Sequence, residues 1–196
     1  MKVYALPLGD YQTNCYIVHD ESRKDCFVVD PGYQCGDILD FCAGKGLTIA
    51  AILLTHGHFD HVGAVKELVA ETGCKVYIHA ADLSLPPMIT AGQLYYTHTF
   101  AEGDTVCPIE GAELHVLHTP GHTPGSVCLL LGDQMFSGDT LFEGSCGRMD
   151  LPGGDQLQMH QSLNRLVSLQ ADYHIHPGHG GSTTLAAEKR YNPYMR

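Results

Sequence analysis

The chain has 196 residues, a length typical of one domain with a substantial core. It carries 22 Asp and Glu against 11 Lys and Arg, a formal net charge of −11 at pH 7. Nucleic acids are bound through basic surfaces, so this balance argues against a nucleic-acid partner. The 13 His residues outnumber Lys and Arg combined, which favours a protein that uses imidazole for metal coordination or proton transfer.

The cysteines and the apolar segments bear on the cellular compartment. The eight cysteines show no Cys-x-x-Cys spacing, and residues 1–10 lack the apolar segment of a secretory signal. No apolar run approaches the roughly 18 residues of a membrane span. We therefore predict reduced thiols, a cytoplasmic location and no membrane partner. The sequence does not indicate an oligomeric state.

Hydrophobic periodicity and turn residues predict the elements of the first half of the chain. In chain order these are strands at 3–8, 15–19 and 26–29, a helix at 38–42, a strand at 49–54, a helix at 62–71 and a strand at 76–79. Residues 93–103 show no clear period, so we predict a mobile or covering loop there.

The second half repeats the same kind of succession. Strands are predicted at 113–117, 126–131 and 134–137, then a helix at 157–169, a strand at 173–176 and a last helix. Ser182 is a plausible N-cap for that helix. Two successions of strands interleaved with helices indicate two sheets packed face to face, with helices outside.

A cluster of histidines follows the predicted strand at 49–54. His56, His58, Asp60 and His61 lie within six residues, directly after an apolar run. A turn at the end of a buried strand holds such side chains still, and imidazole with carboxylate suits Zn²⁺ or Fe²⁺. The segment therefore predicts a metal site.

One short segment cannot surround an ion, so further ligands are expected downstream. Three candidates each follow a predicted strand at an abrupt turn: His122, Asp139 and His179. The seven residues divide into two sites with one bridging residue: His56, His58 and His122; Asp60, His61 and His179; and Asp139 between them. Each ion keeps an open position for a shared hydroxide, as in hydrolytic centres with two ions ~3.5–4 Å apart.

The seven residues in this order resemble the metallo-β-lactamase superfamily, whose His-x-His-x-Asp-His signature is met by residues 56–61. The resemblance covers nearly the whole chain. It implies an α/β fold, the four-layer αββα sandwich, with two Zn²⁺ per chain and Fe possible at one or both sites. Asp60 is the expected catalytic residue, because it would bind metal and orient the hydroxide.

The segment from Gly138 to Asp150 looks like a loop of glyoxalase II, the hydroxyacylglutathione hydrolases. The likeness implies a thioester hydrolase that acts on a small-molecule thioester, with Arg148 as the substrate-binding residue. Longer members of that family carry a C-terminal helical domain. The sequence ends soon after the last predicted ligand, with residues 180–196 following it, so we expect residues 1–196 to form a single domain without that extension.

Other functions compatible with these motifs remain open. The Gly-Arg-x-Asp sequence at 147–150 is also similar to persulfide dioxygenases, which would use His56, His122 and Asp139 around one iron. A lactonase, a nuclease and a metal-binding module without turnover are further alternatives. For Cys146 we predict a packing thiol instead of a nucleophile.

Overall fold

The computed structural model describes residues 1–90 and 92–196, which form two six-stranded sheets with helices on their outer faces. The first sheet has the spatial order β1 (Lys2–Leu8), β2 (Thr13–His19), β3 (Asp25–Val29), β4 (Thr48–Leu53), β5 (Lys75–His79) and β6 (His98–Phe100). Strands β1 to β3 are antiparallel, whereas β3 to β6 are parallel.

The second sheet comes mainly from the second half of the chain. Its strands are β7 (Thr105–Val106), β8 (Leu114–His118), β9 (Val127–Leu131), β10 (Gln134–Gly138), β13 (His174–Pro177) and β14 (Thr183–Thr184). They lie in the order β14-β13-β10-β9-β8-β7, and only β10 with β13 is a parallel pair. A separate hairpin consists of β11 (Leu141–Phe142) and β12 (Ser145–Cys146).

Alternation along the strands explains how the layers pack. In β2, Tyr16 and Val18 belong to the core between the sheets, whereas Cys15 and Ile17 belong to the core under the helices. Successive strand residues point to opposite faces, so a strand apolar at every position is buried on both sides. Every residue of β2 is buried. The chain therefore forms separate apolar cores on the two faces of this sheet.

The helices close the two outer faces. They are α1 (Cys35–Gly44), α2 (Phe59–Val62), α3 (Val65–Thr72), α4 (Gln156–Ser168) and α5 (Leu185–Tyr191), with 3-10 turns at Ala80–Ser84 and Pro193–Met195. Helices α1 and α3 bury Ile38 and Leu68 against the first sheet, and α4 buries Leu163 and Leu166 against the second. The predicted αββα sandwich is confirmed. No helix of 1–90 or 92–196 is long and apolar enough to span a bilayer.

Two local predictions differ from the structure. The predicted loop at 93–103 contains β6, which pairs with β5 from Tyr77 opposite His98. Its side chains are mostly exposed, so this edge strand rests on backbone pairing and leaves no hydrophobic period. The last helix begins after Thr184, whose Oγ1 accepts a hydrogen bond from the Ala187 amide at 3.2 Å. Ser182 does not cap it, because residues 183 and 184 first pair with β13.

Candidate metal centre

All seven predicted ligands meet at one edge of the sandwich. The segment with His56 to His61 follows β4, and His122 lies in the connection between β8 and β9. Asp139 directly follows β10 and His179 follows β13, its parallel neighbour. Because parallel strands end at the same edge of a sheet, the fold brings together residues that are up to 123 positions apart.

His56, His58 and His122 form the first cluster, and one ligand atom from each lies within 4.8 Å of the others. The Nδ1 atom of His58 lies 2.8 Å from Nε2 of His122. All three side chains are buried. Three converging and buried imidazole nitrogens are a suitable ligand set for one divalent transition metal.

Asp60, His61 and His179 form the second cluster, also within 4.8 Å. The Oδ2 atom of Asp60 lies 3.2 Å from Nε2 of His179 and 3.7 Å from Nε2 of His61. Thr13 donates from Oγ1 to the same carboxylate oxygen at 3.3 Å. These contacts fix the position of the Asp60 carboxylate beside the two imidazoles.

Asp139 lies between the two clusters. Its Oδ1 is 3.3 Å from Nε2 of His61, and its Oδ2 is 3.4 Å from Nε2 of His122 and 3.6 Å from Nε2 of His179. One carboxylate therefore reaches residues of both groups. This is the position that a bridging ligand would require.

The donor set fits metal ions. His56 Nε2, His61 Nε2 and Asp139 Oδ1 are buried and have no hydrogen-bond partner among the described residues. A buried polar atom without a partner costs about 1–3 kcal/mol. Several such atoms at one point fit a site at which cations complete the coordination of these side chains. The two clusters would hold the ions, and Asp139 would serve both.

The protonation states of His56, His58 and Asp139 also suit cation binding, whereas Asp139 and Asp30 outweigh burial at His61 and raise its pKa well above the usual range. Burial, reinforced by neighbouring imidazoles, lowers the pKa of His56 well below its usual range and that of His58 to about 4. Burial acts to raise the pKa of Asp139, but His61 and the other histidines outweigh it, and the pKa is lowered. Neutral imidazole and ionised carboxylate are the forms that bind metals.

Asp30 is a functional residue that the sequence reasoning missed. Its Oδ2 lies 3.0 Å from Nδ1 of His61 and accepts a hydrogen bond from Thr55 Oγ1 at 2.6 Å, while its Oδ1 accepts from the Thr55 amide at 2.8 Å. Asp30 thus orients His61 directly, and it also fixes Thr55, the residue before His56. The Asp30-Pro-Gly sequence predicted only a turn, although an aspartate directly after a buried strand is the same signal that singled out Asp139.

Asp82 was missed as well. This buried carboxylate accepts hydrogen bonds from the Gly57 amide at 2.7 Å, from Thr123 Oγ1 at 2.9 Å and from the Gly125 amide at 2.6 Å. It joins the loop of His56 and His58 to the loop of His122. It lies in an ordinary 3-10 turn, so no local sequence signal marks it.

Three other histidines pack against aromatic rings and lie outside the two clusters. His79 and His118 stack on each other with ring centroids 4.2 Å apart. His176 stacks on Phe136 at 5.1 Å, and its Nε2 lies 2.7 Å from Gln134 Oε1.

The clusters open into a cleft of about 570 Å³. Its walls are largely apolar and include Tyr11, Phe59, Ile89, Phe142 and Leu151. Cys146 also lines the cleft, and burial raises the pKa of its thiol. A protonated thiol is a poor nucleophile, in agreement with a packing role.

Arg148 lies at the cleft as predicted from the loop sequence, with its side chain 61% exposed. Its backbone carbonyl lies 2.7 Å from His122 Nδ1, so this residue orients a ligand of the first cluster. Its guanidinium donates two hydrogen bonds to the carboxylate of Asp150. Contact of Arg148 with a substrate stays a prediction.

Residues 8–180 match the family model described as the metallo-beta-lactamase superfamily. The chain belongs to this superfamily. Among curated relatives it is 36% identical over 208 residues to the probable metallo-hydrolase YqgX of Bacillus subtilis, and 32% identical over 210 residues to the hydroxyacylglutathione hydrolase GloC of Haemophilus influenzae. Both alignments cover all of this chain and 98% of the relative.

Solved structures give the same assignment. The B3 metallo-beta-lactamase BLEG-1 superimposes with a TM-score of 0.92 at 32% identity, covering 99% of both chains. TTHA1623 in a di-iron-bound form gives 0.87 at 40% identity, covering 98% of this chain and all of the other. ETHE1 from Myxococcus xanthus gives 0.85 at 31% identity over 98% of this chain and 84% of the other.

These relationships identify the chain as a metal-dependent hydrolase of the metallo-beta-lactamase superfamily, whose proteins bind dinuclear metal. The similar proteins carry different names, a hydroxyacylglutathione hydrolase and a B3 metallo-beta-lactamase, so the family defines the fold and the metal chemistry and leaves the substrate open.

Proposed function

We propose that the protein hydrolyses small hydroxyacyl thioesters in the cytoplasm, in a reaction of the glyoxalase II type. The observation that carries the proposal is the pair of ligand clusters joined by Asp139 at the floor of an open cleft. The relationship to the Haemophilus hydroxyacylglutathione hydrolase supports a thioester substrate. Zinc is the metal we propose, with iron as the alternative that the di-iron form of TTHA1623 supports.

When bound, the metals would lower the pKa of a coordinated water to ~7 and polarise the thioester carbonyl. Asp60 would orient the attacking water, because the Thr13 hydroxyl and His179 already hold one of its carboxylate oxygens in place. The apolar wall with Phe59 and Phe142 would exclude bulk water from the carbonyl. Arg148 would contact the thiol portion of the substrate at the mouth of the cleft.

An iron-dependent persulfide dioxygenase is the second candidate. The Gly-Arg-x-Asp sequence at 147–150, which is similar to that of persulfide dioxygenases, favours it. In this case one iron would have three protein ligands, namely His56, His122 and Asp139. A lactonase using the same two clusters is a third possibility, in line with the range of hydrolases in the superfamily.

The test measures metal content and activity on the same preparation. Protein loaded separately with Zn²⁺ and Fe²⁺ is analysed for metal per chain and assayed for hydroxyacyl thioester cleavage, lactone cleavage and persulfide-dependent oxygen uptake. We expect about two ions per chain and thioester cleavage. Oxygen uptake with a persulfide, together with intact thioesters, would replace the hydrolase by the dioxygenase.

His58→Ala serves as the reference in these assays, because it removes one ligand of the first cluster while Asp60 and the second cluster remain. Loss of most thioester cleavage in this variant, with an unchanged circular dichroism spectrum, would assign the activity to the metal centre. Full activity would show that cleavage occurs elsewhere.

A further inference from the structure

Arg148 lines the cleft and forms an ion pair with Asp150 beside it. Arg148 Nε donates to Asp150 Oδ1 and Arg148 Nη2 donates to Asp150 Oδ2, both at 2.7 Å. This is the bidentate arrangement in which a guanidinium binds a carboxylate. The position that a substrate carboxylate would occupy on this edge of the guanidinium is therefore taken by a side chain of the protein.

Arg148 is also the one Lys or Arg among the described residues that line the cleft. Two exposed charges bound to each other contribute little to stability, typically 0–1 kcal/mol. Asp150 is nevertheless attached only two residues away, so its effective concentration at Arg148 is in the millimolar range or above. An anionic ligand in solution would have to compete with it, and the pair as a whole carries no net charge.

The remaining walls offer apolar contact. Tyr11 is 60% exposed and packs edge to face on Phe59, with ring centroids 5.4 Å apart. Phe142 approaches His179 in the same manner at 6.1 Å. Ile89 and Leu151 complete the apolar surface. A ligand group placed here would gain about 25 cal/mol for each Å² of apolar surface buried.

We propose that the preferred substrates are thioesters whose thiol portion is uncharged and apolar, and that Asp150 is the residue that determines this specificity. The inference rests on the proposed thioester hydrolysis and narrows its substrate class. Asp150 neutralises the charge of Arg148. The apolar walls of the cleft then select the thiol portion of the substrate by apolar contact. A thiol carrier with free carboxylates would bind less well, although it reacts at the same metal centre.

The test compares two thioesters that differ in charge alone. Hydroxyacyl thioesters of 3-mercaptopropanamide and of 3-mercaptopropanoate have the same acyl group and nearly the same size. With the metal-loaded protein we expect kcat/KM to be at least fivefold higher for the amide. Asp150→Asn leaves Arg148 free to bind a carboxylate, so the ratio of the carboxylate substrate to the amide should rise about tenfold.

A matched control is available on β3. Arg23 Nε donates to Asp25 Oδ1 at 2.9 Å, so Asp25→Asn removes the same charge from a pair of the same spacing, outside the cleft. We expect it to leave the ratio unchanged. The double variant Arg148→Gln, Asp150→Asn should lose the increase in the carboxylate-to-amide ratio, because that increase requires the guanidinium.

Binding measurements keep this inference separate from the proposed function. Benzyl thioethers of the same two thiols cannot be cleaved, and their affinity for the metal-loaded protein is measured by calorimetry. If no thioester is cleaved, the proposed hydrolase is wrong, and the specificity is decided by these affinities. The inference would be overturned if the wild-type protein bound the carboxylate thioether as tightly as the amide thioether, or more tightly. It would also be overturned if Asp150→Asn and Asp25→Asn gave the same ratio of carboxylate to amide affinity.

Discussion

The Nδ1 atom of His61 lies 3.0 Å from Oδ2 of Asp30, and both side chains are buried. A carboxylate at this distance accepts a hydrogen bond from Nδ1–H, and the lone pair of the neutral imidazole is then on Nε2. That Nε2 faces Asp139 and Asp60 and has no hydrogen-bond partner of its own. Asp30 therefore sets the tautomer and the orientation in which His61 can bind a metal.

Replacing Asp30 should weaken the second metal site without removing a ligand. Asp30→Asn puts an amide where His61 and Thr55 now share a carboxylate, so the orientation of the imidazole is no longer fixed. We expect metal affinity to fall about 10–100-fold, measured by competition with a chromogenic chelator. Asp40→Asn, at an exposed position on α1, is the control. Equal affinities in the two variants would remove the orienting role of Asp30.

The seven predicted ligands could be brought together from the sequence because each follows an apolar strand with turn residues beside it. Residues such as Asp139 and His179 carry that signal locally. Their supporting contacts are different, because Asp82 acts on Gly57 and Gly125 through hydrogen bonds that span 25 and 43 positions. Such pairing depends on how loops meet in space, which a hydrophobic period does not encode.

The fold is predictable for a related reason. Strands buried on both faces, such as β3, are apolar at nearly every position and stand out from the turns around them. The short edge strand β6 could not be predicted, since its side chains are mostly exposed and its pairing partner β5 lies about 20 residues earlier. Edge pairing rests on backbone groups that every residue offers.

Asp139→Ala and His58→Ala should differ in the number of ions lost. Asp139 approaches histidines of both clusters, so its removal should lower occupancy at both sites. His58 belongs to the first cluster alone, and His58→Ala should leave the second ion in place. Elemental analysis after dialysis gives the two stoichiometries. If Asp139→Ala lost one ion and kept the other fully, the carboxylate would not be a bridge.

Gly178→Ala should disturb the centre by direct overlap. A Cβ at this position would lie 2.1 Å from Oδ1 of Asp139 and 2.6 Å from Cε1 of His61. Such overlap must shift the bridging carboxylate, so we expect lower metal content and a loss of about 1–3 kcal/mol in the free energy of unfolding. Gly36→Ala, in α1 with no heavy atom within 4 Å of the new Cβ, should keep the metals and be slightly more stable.

His176 should make the stability of the fold depend on pH. Burial lowers the pKa of this histidine from 6.5 to about 4, because its ring packs on Phe136 and Tyr16. The neutral form is thus favoured in the folded state, and the unfolded chain binds more protons between these values. Its contribution is complete above pH 6.5 and decreases as the pH falls toward 4. A difference of about 2.5 pH units corresponds to at most about 3 kcal/mol.

His176→Gln isolates this contribution from that of the metal ligands, which also respond to acid. The variant keeps a polar group near Gln134 but cannot take up a proton, so its unfolding free energy should fall less steeply between pH 6.5 and 4 than that of the wild type. Urea unfolding at a series of pH values measures both slopes. His160→Gln removes an exposed histidine on α4 and should retain the wild-type slope. Parallel curves for wild type and His176→Gln would show that His176 titrates alike in the folded and unfolded states.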